Sequence, residues 1–551
     1  MQIAKPRSTP PTSDRRKVEW IIGTVITAAA IYLHWVNLRS AGALWRDEAG
    51  IARIATLPTL GEMGSNLGHE SCPILSLALL RGWSFIVGSS DAALRVFGFI
   101  IGLLMLSAVW LNGWLFHRSV PIVALGLLAL NPSIVRWSDS VRAYGLASVL
   151  MLLTLLMVWR FVRAPNRGRW LAAAVAGVMS VQCLFQNSFL LLAACAAAAA
   201  VRVRRRDFQS ALAALAIGVP AALSLLPYRP IIREAQDWSV LSQIGFVPAL
   251  IASSLSDAVA PTLPWTRWLW IGLAVGAVAA CVKSFHVLPN ARGDADNARA
   301  AFAGSALLAG LISFFFFLWV AKMPTEVWYF LPLTTFAAVC IDAALASWPR
   351  WPFWRLAVPA LALACLPGAY QSVACRQSNM DFVAVLLRER VDPQDLIIVH
   401  PWTFGISFDR QYSGPAHWTT VPPLADHRFH RYDLFKQKMV LENPAQSMCD
   451  EIAATLRAGD RVWLVGDIPV SQTPPPRIQP APNNPWGWLD DPYSDVWGAQ
   501  VGYFVAMHAT RGEVIPTSAP NPVSPLENVQ LMVVAGWQEL PGNWTTAVKY
   551  R

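Results

Sequence analysis

The sequence predicts a polytopic α-helical membrane protein of about eleven spans, followed by a C-terminal α/β domain outside the membrane. Three observations carry this. The chain is 55% hydrophobic and only 14% charged, where a soluble protein carries about 25% charged residues, and the shortfall lies in long apolar runs. Lys and Arg cluster in short loops between alternate runs, the positive-inside pattern. After Pro367 the long runs stop.

Residues 1–18 form a polar tail with Lys5, Arg7, Arg15, Arg16 and Lys17. No small-residue cleavage site follows the first run, so that run reads as an uncleaved anchor. A spanning helix needs about 20 apolar residues. The candidates are Trp20–Val36, Ala92–Leu115, Val120–Ile134, Tyr144–Val162, Trp170–Gln186, Ser188–Val201, Ala211–Pro227, Trp268–Val282, Ala301–Val320, Trp328–Ala346 and Phe353–Pro367. With the N-terminus inside, His117-Arg118, residues 160–169, Arg202 to Arg206, residues 283–299 and 350–355 all fall on the cytoplasmic side. Counting Pro73–Val87 as a further span would put Arg204, Arg205 and Arg206 outside. It reads instead as a helix in the outer interface, with Arg81 and Trp83 as anchors. The membrane module is then 19–372, with external loops 37–91 and 228–266.

Residues 373–551 read as an external soluble α/β domain. Asp381–Val391 and Met448–Ala458 are predicted helices, Leu396–Val399 and Arg461–Val465 buried strands, and Gln530–Ala535 a late strand. Pro469 to Trp486 is a proline-rich connection. The eight cysteines show no metal-binding spacing. Cys72, Cys375 and Cys449 fall outside the apolar runs, and Cys375–Cys449 is a candidate disulfide if that side is oxidising. The formal net charge of +10 belongs to the cytoplasmic loops and does not point to nucleic acid.

This topology gathers polar residues at the outer helix ends. The first external loop brings Asp47, Glu48, His69 and Glu70. The turn before the fourth span brings Arg136, Asp139, Arg142 and Tyr144. Asn187 sits at a turn between two runs. The second loop brings Arg233, Glu234 and Asp237, and the turn before the tenth span brings Lys322, Glu326 and Tyr329. Adjacent acids at a membrane boundary are costly unless used or paired. Asp139 and Arg142, three residues apart, are able to pair with each other. Transfer of a sugar from a membrane-bound phosphate donor fits the set. A carboxylate takes the proton of an attacking hydroxyl, and a cation stabilises the departing phosphate. Asp47 or Glu48 supplies the first, and Arg142, Arg136, Arg233 or Lys322 the second.

The order of motifs resembles GT-C glycosyltransferases of the protein O-mannosyltransferase and lipid A aminoarabinose transferase type (glycosyltransferase family 39-like). The matching pieces are Asp47-Glu48-Ala49, Gly68-His69-Glu70-Ser71-Cys72-Pro73, Ala92-Ala93-Leu94-Arg95-Val96, Leu130-Asn131-Pro132 through Ser138 to Tyr144, and Trp328-Tyr329-Phe330-Leu331-Pro332. They lie within residues 20–370. The resemblance implies a catalytic acid at Asp47 with Glu48 beside it, and a donor-phosphate arginine at Arg142. It implies an inverting single displacement from a polyprenyl-phosphate-linked sugar to an envelope glycan, lipid or protein, in contact with membrane lipids, on the periplasmic face of a bacterial inner membrane. The family often has His-Pro-Pro near His69, Arg-Tyr near Trp328 and a His near Asn187, and this chain differs at each. His69 with Glu48 or Glu70 is the candidate set for a divalent cation. The rival readings are a lipid or glycan transporter or flippase, and a non-catalytic envelope assembly protein. The first calls for charges deep in the spans and repeated halves, and neither is visible.

Overall fold

The computed structural model describes residues 13–70, 72–236, 245–288, 295–346, 352–482, 489–517 and 519–539. The first twelve residues of the tail, Ser71, Asp237 and parts of the basic loops 283–299 and 350–355 lie outside them.

The chain is a multi-pass helical bundle followed by a five-stranded sheet with helices on both faces. Among the described residues seven helices are long and apolar enough to cross a membrane, or nine if each of two bent pairs is one span. All eleven predicted stretches are helical, but two fall short. The stretch 120–134 splits into Ile122–Leu128 and Pro132–Ser138. Asn131 causes the break: its side-chain oxygen accepts the N–H groups of Ser133 and Ile134 at 2.9 and 3.3 Å. Pro132 has no N–H to continue the preceding helix. The stretch 170–186 is the 15-residue helix Arg167–Val181. The helices Ala143–Arg163 and Val327–Leu345 are the most enclosed, and the others pack around them.

The first helix is α1 (Ser13–Ser40). The chain then turns at Gly42, where φ is +69° and the Arg376 guanidinium occupies the space a β-carbon would fill. The ten-residue helix α2 (Arg46–Ala55) follows. The stretch 73–87 is the 13-residue helix Ile74–Ile86, about 20 Å long and too short for a bilayer core of about 30 Å. It buries Leu77 and Leu80 and leaves Phe85 and Ile86 exposed.

The sheet comprises β1 (Leu396–His400), β2 (His417–Thr420), β3 (Val462–Gly466), β4 (Ala509–Ile515) and β5 (Leu531–Trp537), in the order β2-β1-β3-β5-β4. β1 runs parallel to β2 and β3, and β5 is antiparallel to β3 and β4. β1 and β3 are buried along their whole length, as their unbroken apolar runs require. β2 and β4, with partly exposed sequences, carry no such signal. Cys375 and Cys449 are free thiols, so the candidate disulfide is not formed. The Cys375 thiol donates to the Gln371 carbonyl, whereas Cys449 packs in the core on the other side of the sheet from Met380–Arg390.

Candidate active site

Asp47 and Glu48 occupy the first turn of α2, where carboxylates meet the positive end of the helix dipole. As consecutive helical residues they point about 100° apart and meet different neighbours. Glu48, 1% exposed, turns into the bundle. Its Oε2 lies 2.6 Å from Arg95 Nη1. Its Oε1 accepts from the Ser140 hydroxyl at 2.9 Å and the Val141 N–H at 3.2 Å. Arg95 also donates to the Ala43 carbonyl at 2.8 Å. This is a closed ion pair within the fold.

Asp47 turns the other way. Its Oδ2 accepts from Arg142 Nη1 at 2.6 Å. Its Oδ1 lies 3.5 Å from His430 Nε2 and 3.5 Å from Arg46 Nε. The opposite ring nitrogen of His430, Nδ1, is 3.0 Å from Glu70 Oε1. A row Arg142–Asp47–His430–Glu70 results, assembled from the segment 37–91, the turn before the helix Ala143–Arg163 and the C-terminal domain. Burial alone would push the Asp47 carboxyl up, but Arg142 and His430 hold it well below the usual carboxylate range. Burial would likewise push His430 down. Glu70 and Asp47 outweigh it and raise His430 to about 9, so the ring is a cation at neutral pH.

Aromatic rings back the Arg142 guanidinium. It lies 5.2 Å from the Tyr144 ring centre and 5.6 Å from that of Trp328. Tyr144 packs on Tyr329, and Trp328 packs on Trp45 and Trp137. Glu326 adjoins this group: burial raises its carboxyl and the Asp47 charge adds to the effect.

Other candidates have different places. Arg136 donates to the Ser372 carbonyl and serves the join between helices. Asp139 does not pair with Arg142, because the helix Pro132–Ser138 ends between them and Arg142 caps the next one. It bonds His34 at 2.6 Å and Asn37 at 3.0 Å instead. Asn187 is buried against the Ala147 carbonyl and the Ser180 hydroxyl. Arg233 is exposed on the helix Arg229–Gln236. Lys322 lies beside Phe246, Val247 and Leu250.

The cation set suggested by the sequence is not assembled. Glu48 is bound to Arg95, Glu70 to His430, and the His69 ring packs on Phe429. Among the described residues no group of three or more His, Cys, Asp or Glu side chains is placed to hold a metal ion. Each carboxylate of the cluster already has a cationic partner, so these residues do not fit a metal.

His430 and Arg95 were not among the sequence candidates. Arg95 had a readable signal, a lone arginine in the first turn of an apolar span. His430 had none, since it lies 360 residues along the chain from its partner Glu70.

Comparison with family models and with curated proteins finds no match. Among solved structures, the chain is similar to ArnT from Cupriavidus metallidurans in the apo state, with 12% identity, 82% of this chain and 93% of that chain covered, and a TM-score of 0.48. It is similar to the same protein bound to undecaprenyl phosphate, at 13% identity, 81% and 92% coverage and a TM-score of 0.45. It is also similar to the Archaeoglobus fulgidus oligosaccharyltransferase in complex with zinc and sulfate, at 12% identity, 90% and 72% coverage and a TM-score of 0.47.

Proposed function

We propose that this protein is a GT-C-type membrane glycosyltransferase that moves a sugar from a polyprenyl-phosphate donor to an envelope acceptor on the periplasmic face. The observation that carries the reading is the Arg142–Asp47–His430 cluster at one end of the bundle. It joins a carboxylate base to a planar cation suited to phosphate. The motif order in the sequence supports the same reaction class.

In the reaction, an acceptor hydroxyl oxygen attacks the anomeric carbon as the bond from that carbon to the phosphate oxygen breaks. The hydroxyl proton goes to Asp47, and the charge growing on the polyprenyl phosphate is met by Arg142. A base works best when its proton affinity approaches the operating pH, and Asp47 is held far below that by Arg142. Donor binding resolves this conflict. A phosphate that engages the Arg142 guanidinium neutralises the charge that depresses Asp47, so the carboxylate becomes a stronger base only when the donor is seated. His430 holds the Asp47 rotamer from the opposite side.

The test uses membranes from a strain lacking the gene. The donor should accumulate there as a lipid-linked sugar, and purified wild-type protein should consume it. A strain with no such accumulation overturns the reading. Topology is checked by single-cysteine labelling from the periplasmic side, which should modify a probe at Pro475 and spare one at Arg205. The reverse pattern rules out a periplasmic site.

A further inference from the structure

A helix leaves its first four backbone N–H groups without partners inside the helix. At α2 the capping position belongs to Trp45, whose side chain can only donate a hydrogen bond. The acceptor comes from the far end of the chain. Glu527 Oε2 accepts the backbone N–H of Arg46 at 2.7 Å, across 481 residues. Its Oε1 accepts from the Ser378 hydroxyl at 2.6 Å, and that hydroxyl accepts the Met380 N–H at 3.0 Å. The turn bearing Glu527 is itself pinned, since the Ser524 N–H donates to the Arg376 carbonyl at 2.8 Å. Beside it, the Gln377 N–H donates to the Ala41 carbonyl at 2.8 Å. Glu527 is fully buried. The residue after Arg46 is Asp47.

We infer that Glu527 is a positioning residue for Asp47: it ties the C-terminal domain to the first turn of α2 and so fixes where the Asp47 carboxylate stands between Arg142 and His430. This rests on the reading of Asp47 as the base. The first turn is where a helix frays, and a misplacement of about 1 Å at a reacting group costs on the order of 10²-fold in rate. A carboxylate held at both oxygens opposes that motion. Burial raises the Glu527 carboxyl to about 7, so its hold on α2 rests on the hydrogen bond to the Arg46 N–H rather than on a full negative charge.

The experiment compares full-length wild type, Glu527→Ala, Glu527→Gln and Asp47→Asn in nanodiscs. The probe is the radiolabelled lipid-linked sugar pool of membranes lacking the gene. Glu527→Ala should lower kcat by about 10- to 10²-fold while the donor KM stays within about twofold. Hydrogen exchange of the Arg46 to Gly50 amides should quicken. Glu527→Gln, whose amide oxygen still accepts the Arg46 N–H, should restore both to near wild type. A carboxylate that merely holds the domain on would lower the unfolding temperature and leave kcat of the folded protein unchanged. That result overturns the inference, as does a Gln variant as slow as the Ala variant. If Glu527→Ala fails to fold, Ser378→Ala takes its place: a partial fall in kcat at constant KM supports the inference, and wild-type kcat overturns it. Asp47→Asn separates the two levels. If it turns over normally, the base reading has failed; if it is inactive while Glu527→Ala is normal, only the positioning inference has failed.

Discussion

The two sides of α2 carry adjacent carboxylates in opposite circumstances. On the bundle side, Glu48 has one cation, Arg95, and two further donors, all fixed within the membrane module. On the outer side, Asp47 faces three cationic groups, Arg142, His430 and Arg46, drawn from three separate stretches of chain. A balanced, closed pair is what a fold needs to bury an acid. Counting Glu70, which holds His430 from its other side, three cations face two carboxylates, and that leaves room for a further anion. That surplus, rather than burial or pairing as such, distinguishes the proposed site from a structural salt bridge.

The contrast breaks most sharply on Asp47 itself. Asp47→Asn keeps the shape and the hydrogen-bonding capacity but cannot take a proton, so turnover should fall by about 10²–10⁴-fold. Folding and donor binding should stay near wild type. Turnover and donor affinity in one nanodisc preparation check this, and normal turnover would return Asp47 to a structural role.

Glu48 should behave in the opposite way. Removing one partner of a buried pair leaves the other uncompensated, which costs about 3–5 kcal/mol. Glu48→Ala should therefore appear first as lost thermal stability in detergent, and Arg95→Leu added to it should recover part of that loss. A Glu48→Ala protein of normal stability but without activity would exchange the roles of the two acids.

Arg142→Lys tests the surplus more gently. The ammonium keeps the charge but not the planar fork. Losing charge-assisted hydrogen bonds worth about 1.5–3 kcal/mol weakens binding by roughly ten- to a hundredfold. The measurement is affinity for a polyprenyl phosphate, with folding checked by unfolding temperature. Unchanged affinity would leave Arg142 as no more than the partner of Asp47.

The smallest effect is the pH response of His430. Its proton affinity is raised in the folded state from an ordinary 6.5 to about 9. The stability it contributes is therefore complete below about 6.5 and is lost as pH rises through about 9. The unfolding temperature should drop by a few degrees between neutral pH and pH values beyond 9, and His430→Gln should remove that slope. An identical slope in the variant would mean that His430 does not hold the domain against Asp47 and Glu70.

Much of the architecture is written in local patterns. A run of apolar residues has nowhere to go but a lipid or protein interior, so the helical stretches, the short helix before Val87 and the buried strands at Leu396 and Val462 could be read without a fold. The alternation of basic loops gives an expected sidedness by the same kind of rule, which the cysteine labelling tests. Asp47 and Arg142 stood out because charge at a membrane boundary is costly, and the fold sets them 2.6 Å apart. The break at Asn131 was also local, though its apolar surroundings hid it. Tertiary structure alone decided which charge meets which. Glu48 found Arg95, Asp139 found His34, and Asp47 and Arg46 were met by His430 and Glu527 from the other end of the chain. A hydrogen bond depends on distance in space, and a single His or Glu in the C-terminal domain leaves no periodic trace of a partner hundreds of residues away.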